Sequence, residues 1–166
     1  MAIQNFNHLI SWADFLKRQS RPAGVNEDAQ IHPEISPGKI QLARKGKSVT
    51  ITEVDLEITL VKSDCWVVES KKSDYLLNHE QGHYDILAIS ARELYNSLMG
   101  LSAVSTHELQ RTITKMQENI QKRVSAVDAR YDAQTKHSLD KTVQESWDKK
   151  IREEKQKPDG SIDNLP

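Results

Sequence analysis

Ser73-Asp74-Tyr75-Leu76-Leu77-Asn78-His79-Glu80-Gln81-Gly82-His83-Tyr84 is the stretch on which the reading of this chain turns. Ser73 and Asp74 are both acceptable helix N-caps, and the pattern behind them runs on to Gly100, so a helix is expected over Tyr75–Met99. Leu77, Tyr84, Ala88, Ala91, Tyr95 and Leu98 form its apolar stripe. Residues four apart on a helix project from nearly the same side, so the imidazoles of His79 and His83 can converge on one ion. Glu80 stands about 100° around the helix from His79, near enough to reach a water on that ion without binding the ion itself. That is the place of a general base. Gly82 costs roughly 1 kcal/mol against Ala in a helix interior, so a close neighbour over the helix is expected there. The five-residue pattern arises by accident in on the order of one chain in a hundred of this length, so its surroundings have to carry the argument.

Upstream the period changes to two. Val49 and Ile51, then Val54, Leu56, Ile58 and Leu60, alternate with Thr50, Thr52, Asp55, Glu57 and Thr59, as half-buried strands do. Gly38 and Gly46 punctuate a hairpin with Ile40–Ala43, and Cys65–Glu69 is a second β-rich run that leads into the motif helix. Ser20–Lys39, broken by Pro22, Pro33 and Pro37, reads as loop or irregular strand edges, and His8–Arg18 fits either a short helix or a strand. Downstream, a second helix starts near Ser105 or Thr106, with Leu109, Ile113, Met116, Ile120, Val124, Val127 and Tyr131 stepping by threes and fours. Leu139, Val143, Trp147 and Ile151 make a third amphipathic stretch. The expected fold class is therefore α+β, an N-terminal antiparallel or mixed sheet followed by the motif helix and two long C-terminal helices. Residues 1–157 are read as a single metallopeptidase-like domain and residues 158–166 as a flexible C-terminal tail.

The 166 residues suffice for one domain with a real core, so a metal here needs a chemical reason rather than a structural one. Lys and Arg total 23 against 24 Asp and Glu, which leaves no field to attract nucleic acid. Cys65 is the only cysteine, so an internal disulfide and a Cys-rich zinc site are excluded and the ligand types left are His, Asp and Glu. No apolar run is long enough to cross a bilayer, and no basic region followed by an apolar run opens the chain. Both a periplasmic or secreted location after removal of a signal peptide and a cytoplasmic one are compatible with this, as is any oligomeric state.

The motif helix supplies two ligands and a third must come from elsewhere. Glu93 lies about 15 Å further along a straight helix, too far to share the ion. His107 and Glu108 sit at the far end of the next helix, whereas about 25 helical residues cover roughly 37 Å and bring Asp128–Asp140 back to the level of the motif. Within that segment His137 is preferred over Asp128, Asp132 and Asp140, because it lies between two apolar stripes and is free to face a cleft. Tyr131 is the candidate to donate a proton to a developing oxyanion, or else the last core residue of its stripe. For Trp66, cleft lining and core packing stand even; Trp12 and Trp147 are read as core.

Leu76-Leu77-Asn78-His79-Glu80-Gln81-Gly82-His83-Tyr84-Asp85-Ile86, together with Ile10–Phe15 upstream and Tyr131–His137 with Trp147 downstream, resembles a bacterial family of predicted zinc-dependent proteases catalogued as domain of unknown function 922. The likeness spans roughly residues 8 to 152. It implies a zincin-like fold, a bound Zn2+, a peptide or protein substrate, and His137 as third ligand. One departure is local: the family's downstream His is usually followed by Gly, where this chain has Ser138. On the zincin analogy, Cys65–Glu69 is the edge strand above the metal. The chemistry implied is hydrolysis of a peptide bond by a zinc-activated water with Glu80 as base. The alternatives are a non-catalytic helical binding or scaffold protein with a structural or vestigial zinc site, and a zinc hydrolase acting on another bond.

Overall fold

The computed structural model describes residues 3–166. In chain order these form β1 (Ile3–Gln4), a 3-10 turn (Trp12–Asp14), β2 (Leu16–Arg18), β3 (Ala29–Gln30), β4 (Pro33–Lys45), β5 (Ser48–Leu60), β6 (Trp66–Val68), a 3-10 turn (Glu69–Lys71), α1 (Asp74–Leu98), β7 (Ser102–Ala103), α2 (Thr106–Thr135), α3 (Lys141–Gln156) and a last 3-10 turn (Ile162–Asn164). The class is α+β, mixed sheets first and three helices after.

The alternation in β5 changes phase, with Val49 and Ile51 buried and then Val54, Leu56 and Ile58. A bulge is the cause: Leu42 faces Ile51 while Gln41 faces Glu53, so Thr52 is the extra residue and the apolar set is returned to one face. β4 runs antiparallel to β5 and lies at the edge of the sheet order β1-β5-β4. That edge position explains how Pro33 and Pro37 stand inside a strand, where they had marked loop in the sequence. The second irregularity in the pairing falls between Pro37 and Ile40, where a Cβ on Gly38 would approach Asp55 Cβ to 3.0 Å.

A second sheet has the order β2-β6-β3. β6 is paired on both sides, parallel to β2 and antiparallel to β3, so the run Cys65–Glu69 is not an edge strand as expected. Trp66 is buried, with its indole N–H on Gln30, which settles it as a core aromatic.

Ser73 caps α1 by accepting the Leu76 N–H, and Ser105 and Asp140 do the same for α2 and α3. From Ile86 to Arg92 every residue of α1 is buried. A helix apolar all round is an interior one, and here the hairpin sheet covers one side while α2 and α3 cover the others. Trp147 of α3 is fully buried, whereas Leu139 lies before that helix and is exposed. Among the described residues no helix is long and apolar enough to cross a membrane.

Residues 158–166 are packed, not frayed. The guanidinium of Arg92, itself buried, donates to the carbonyls of Lys155 at 2.7 Å, Glu154 at 2.7 Å and Gly160 at 3.2 Å, closing the C-terminus of α3. The Glu154 carboxylate turns the other way and accepts from Lys157 Nζ, Ser161 N and Asn164 Nδ2. A Cβ on Gly160 would fall 1.9 Å from the Glu154 carbonyl oxygen, so only glycine lets the chain pass this close. Ile162 and Leu165 are then buried against the helices. The sequence pattern concealed this because several of the segment's anchors, the Gly160 carbonyl and the Ser161 and Ile162 N–H groups among them, are backbone groups, which every residue carries.

Candidate metal centre

α1 and α2 meet along one turn of each. His79 and His83 stand four residues apart on α1, Asp128 and Asp132 four apart on α2, and the two helices run in opposite senses. The ring Nε2 atoms of both histidines lie 3.1 Å from the same oxygen, Asp132 Oδ1. One donor atom from each of His79, His83 and Asp132 falls within 4.8 Å of the others, a group able to hold a metal ion.

The far side of each ring is also occupied. His83 Nδ1 lies 2.9 Å from Asp128 Oδ1, and His79 Nδ1 lies 2.9 Å from Gln144 Oε1 on α3. An ionised carboxylate only accepts, so Asp128 requires a proton on His83 Nδ1 and leaves the Nε2 lone pair for the centre. Two neutral rings so arranged would turn two lone pairs on Asp132 Oδ1. The arrangement is relieved either by a proton on each Nε2 or by a cation among the three atoms. The donor set, two imidazoles and one carboxylate with acceptors behind both rings, fits a divalent metal ion.

The charges respond accordingly. Burial works against protonation of His83, but hydrogen bonds to Asp128 and Asp132 outweigh it and raise its pKa well above the ordinary value. Burial pushes Asp132 up, yet its bonds to His79 and His83 win and hold its carboxyl well below the usual carboxylate range. Glu80 goes the other way, because burial raises it more than the fields of His83 and His79 and the Ile31 N–H lower it. Its Oε2 accepts that N–H at 2.8 Å, just beyond β3.

These groups line a cleft of about 320 Å³ whose opposite wall is Val25, residues 27–31 and Pro33. β3, not β6, is the strand that borders it. Tyr131 does not face the cleft. It is fully buried, its ring stacked on His79 with centroids 4.7 Å apart and edge-on to His83 at 4.9 Å. Its hydroxyl donates to the His79 carbonyl and is held protonated by burial. The hydroxyl is also the neighbour that Gly82 makes room for, since a Cβ there would lie 2.2 Å from Tyr131 Oη.

His137 reaches the same cleft but stays outside the group of three. Its Nδ1 lies 3.7 Å from Asp132 Oδ1 and 3.5 Å from Glu27 Oε1, with a hydrogen bond to neither. Lys136, His137 and Ser138 all have positive φ, at 52°, 53° and 70°, a left-handed turn that ends α2. Each such non-glycine residue carries roughly 1–2 kcal/mol of backbone strain, which gives the position of Ser138 a reason to favour Gly. The sequence offers Asp128 and Asp132 as alternatives to His137 for the third ligand, and the fold brings Asp132 to the imidazoles. Gln144, against His79 Nδ1, is a partner that the sequence reading does not reach. The signal available was a glutamine three residues before Trp147 and seven before Ile151, on the buried face of α3.

A family model described as "Bacterial protein of unknown function (DUF922)" matches residues 21–138, which include the motif, Asp128, Asp132 and His137. No curated protein and no solved structure matches the chain.

Proposed function

The chain belongs to this bacterial family of unknown function, and from that premise we propose that it is a zinc-dependent hydrolase, acting on peptide bonds, with His79, His83 and Asp132 as the metal ligands. The observation that carries the reading is the aim of two imidazole Nε2 atoms at one carboxylate oxygen, each ring backed by an acceptor. Three protein ligands beside a cleft leave room for a further ligand, as catalytic zinc sites do. Bound there, zinc would supply a water of lowered pKa and polarise a carbonyl group.

The chain's own residues do the rest. The Ile31 N–H fixes one oxygen of Glu80 and leaves Oε1 to take a proton from a water in the cleft and hand it to a leaving amine. Burial raises the affinity of Glu80 for that proton, which suits a base that must later act as an acid. Tyr131 holds the His79 ring from beneath and orients it.

Glu80→Gln tests the reading. The variant is expected to keep its zinc and its fold while losing hydrolysis of a degenerate peptide library by about 10²–10⁴-fold. Zinc retained with an unchanged rate would remove Glu80 as base. Absence of stoichiometric metal from wild-type protein would remove the centre altogether.

A further inference from the structure

His83 has a carboxylate behind Nδ1, which by itself dictates where the ring proton sits. His79 has an amide, and an amide can turn either end toward a ring. With Gln144 Oε1 toward His79, Nδ1 carries the proton and the ring Nε2 keeps a free lone pair for a metal; with Nε2 of the amide there, the proton moves to the metal side and the ligand is lost. What decides between them lies one residue further out.

Gln144 Nε2 has two hydrogens, and both are claimed. One goes to Asp148 Oδ1 at 2.6 Å, one turn along α3, and the other to the Tyr131 hydroxyl. That hydroxyl has already given its own proton to the His79 carbonyl, so toward Gln144 it accepts. Asp148 accepts only, and its second oxygen takes Asn78 Nδ2 at 2.7 Å, from the residue just before His79. Turning the amide over would set its oxygen against a carboxylate oxygen in a place where Gln144 is fully buried.

We propose that Asp148 is a positioning residue for the metal centre: with the Tyr131 hydroxyl it locks the Gln144 amide, and thereby fixes His79 as the Nδ1–H tautomer with Nε2 free to bind metal. The proposal rests on the reading of His79 as a ligand, but its first consequence needs no metal.

Nitrogen-15 NMR of the imidazoles reads that consequence directly. In metal-free wild-type protein His79 is expected to carry a proton on Nδ1, toward Gln144 Oε1, whether or not Asp132 also draws one to Nε2. Asp148→Ala should shift the ring toward Nε2–H and weaken zinc binding, measured by chelator competition, by about 10–100-fold, the usual effect of losing an outer-shell partner. Asp148→Asn should restore binding to within a few-fold of wild type, because its amide oxygen still accepts from Gln144 and Asn78 can turn its own amide to match. Nδ1 unprotonated in the wild type, or zinc affinity and tautomer both unchanged in Asp148→Ala, overturns the proposal. Should Asp148→Ala fail to fold, the wild-type tautomer and the Asp148→Asn affinity still decide it. Wild-type protein that binds no zinc would refute the metal reading instead, and the tautomer would still test the lock.

Discussion

Two clusters of buried polar groups tie α1 to its neighbours, one near each end, and they are built on opposite plans. At the Arg92 end the guanidinium meets three backbone carbonyls, and the Glu154 carboxylate meets an ammonium, an amide and a backbone N–H. Opposite partners face one another and the cluster asks for nothing from outside, the Arg92 Nε apart. At the His79 end, acceptors crowd the outside of two rings while both inner nitrogens aim at a single oxygen. Each has buried polar side chains at its heart, Arg92 and Glu154 in one, His79 and Gln144 in the other. The difference lies in direction: contacts that close on themselves hold a fold, whereas contacts that converge on a point leave a place for an ion.

The largest effect that sharpens this contrast is expected at the point of convergence. Asp132→Ala should lower zinc affinity by more than the roughly 100-fold of an outer-shell loss, while His137→Ala should change it by less than about tenfold. Chelator competition on both variants checks this, and the reverse order would make His137 the third ligand in place of Asp132.

Gly160→Ala attacks the closed cluster. Its Cβ would fall 1.9 Å from a backbone carbonyl, so a loss of about 3 kcal/mol, the upper end for overpacking, is expected in denaturant unfolding. Zinc affinity should not change. If it did, the two ends of α1 would be coupled and the contrast between them would fail.

Gly82→Ala should do both kinds of damage at smaller size. The added methyl displaces the Tyr131 hydroxyl at 2.2 Å, costing about 1–3 kcal/mol, of which roughly 1 kcal/mol is recovered through the helix propensity of alanine. Since the Tyr131 ring lies flat on His79, zinc affinity should fall as well. Stability lost with affinity intact would separate Tyr131 from the centre.

The smallest expected effect is in acid. Hydrogen bonds from Lys157 and Asn164 lead the causes that hold the Glu154 carboxyl at about 2, below its ordinary value of 4.5. A depressed pKa contributes stability that is present above the unfolded value and is lost as pH falls toward the folded one. Metal-free protein should therefore lose part of its thermal stability between those two pH values, and Glu154→Gln should show a smaller loss over the same window. An identical pH dependence in the two proteins would mean that the carboxylate is not what the cluster holds.

The helices were legible in the sequence almost to the residue, as Ser73, Ser105 and the steps of three and four show against α1 and α2. So were the hairpin, the mixed class and the two histidines with Glu80 between them. Each of these follows from a repeat of 3.6 or 2 residues, a property of the local backbone. What the fold decided were contacts between residues far apart in the chain. Asp132 rather than His137 stands against the imidazoles, although the two are five residues apart and differ only in whether α2 has ended. Tyr131 fills the notch at Gly82, Ile31 holds Glu80, and Gln144 reaches His79 across 65 residues. Periodicity states which face of a helix is inward. Which side chain meets which across the gap depends on how far one helix is slid and turned against another, and only the packed structure sets that.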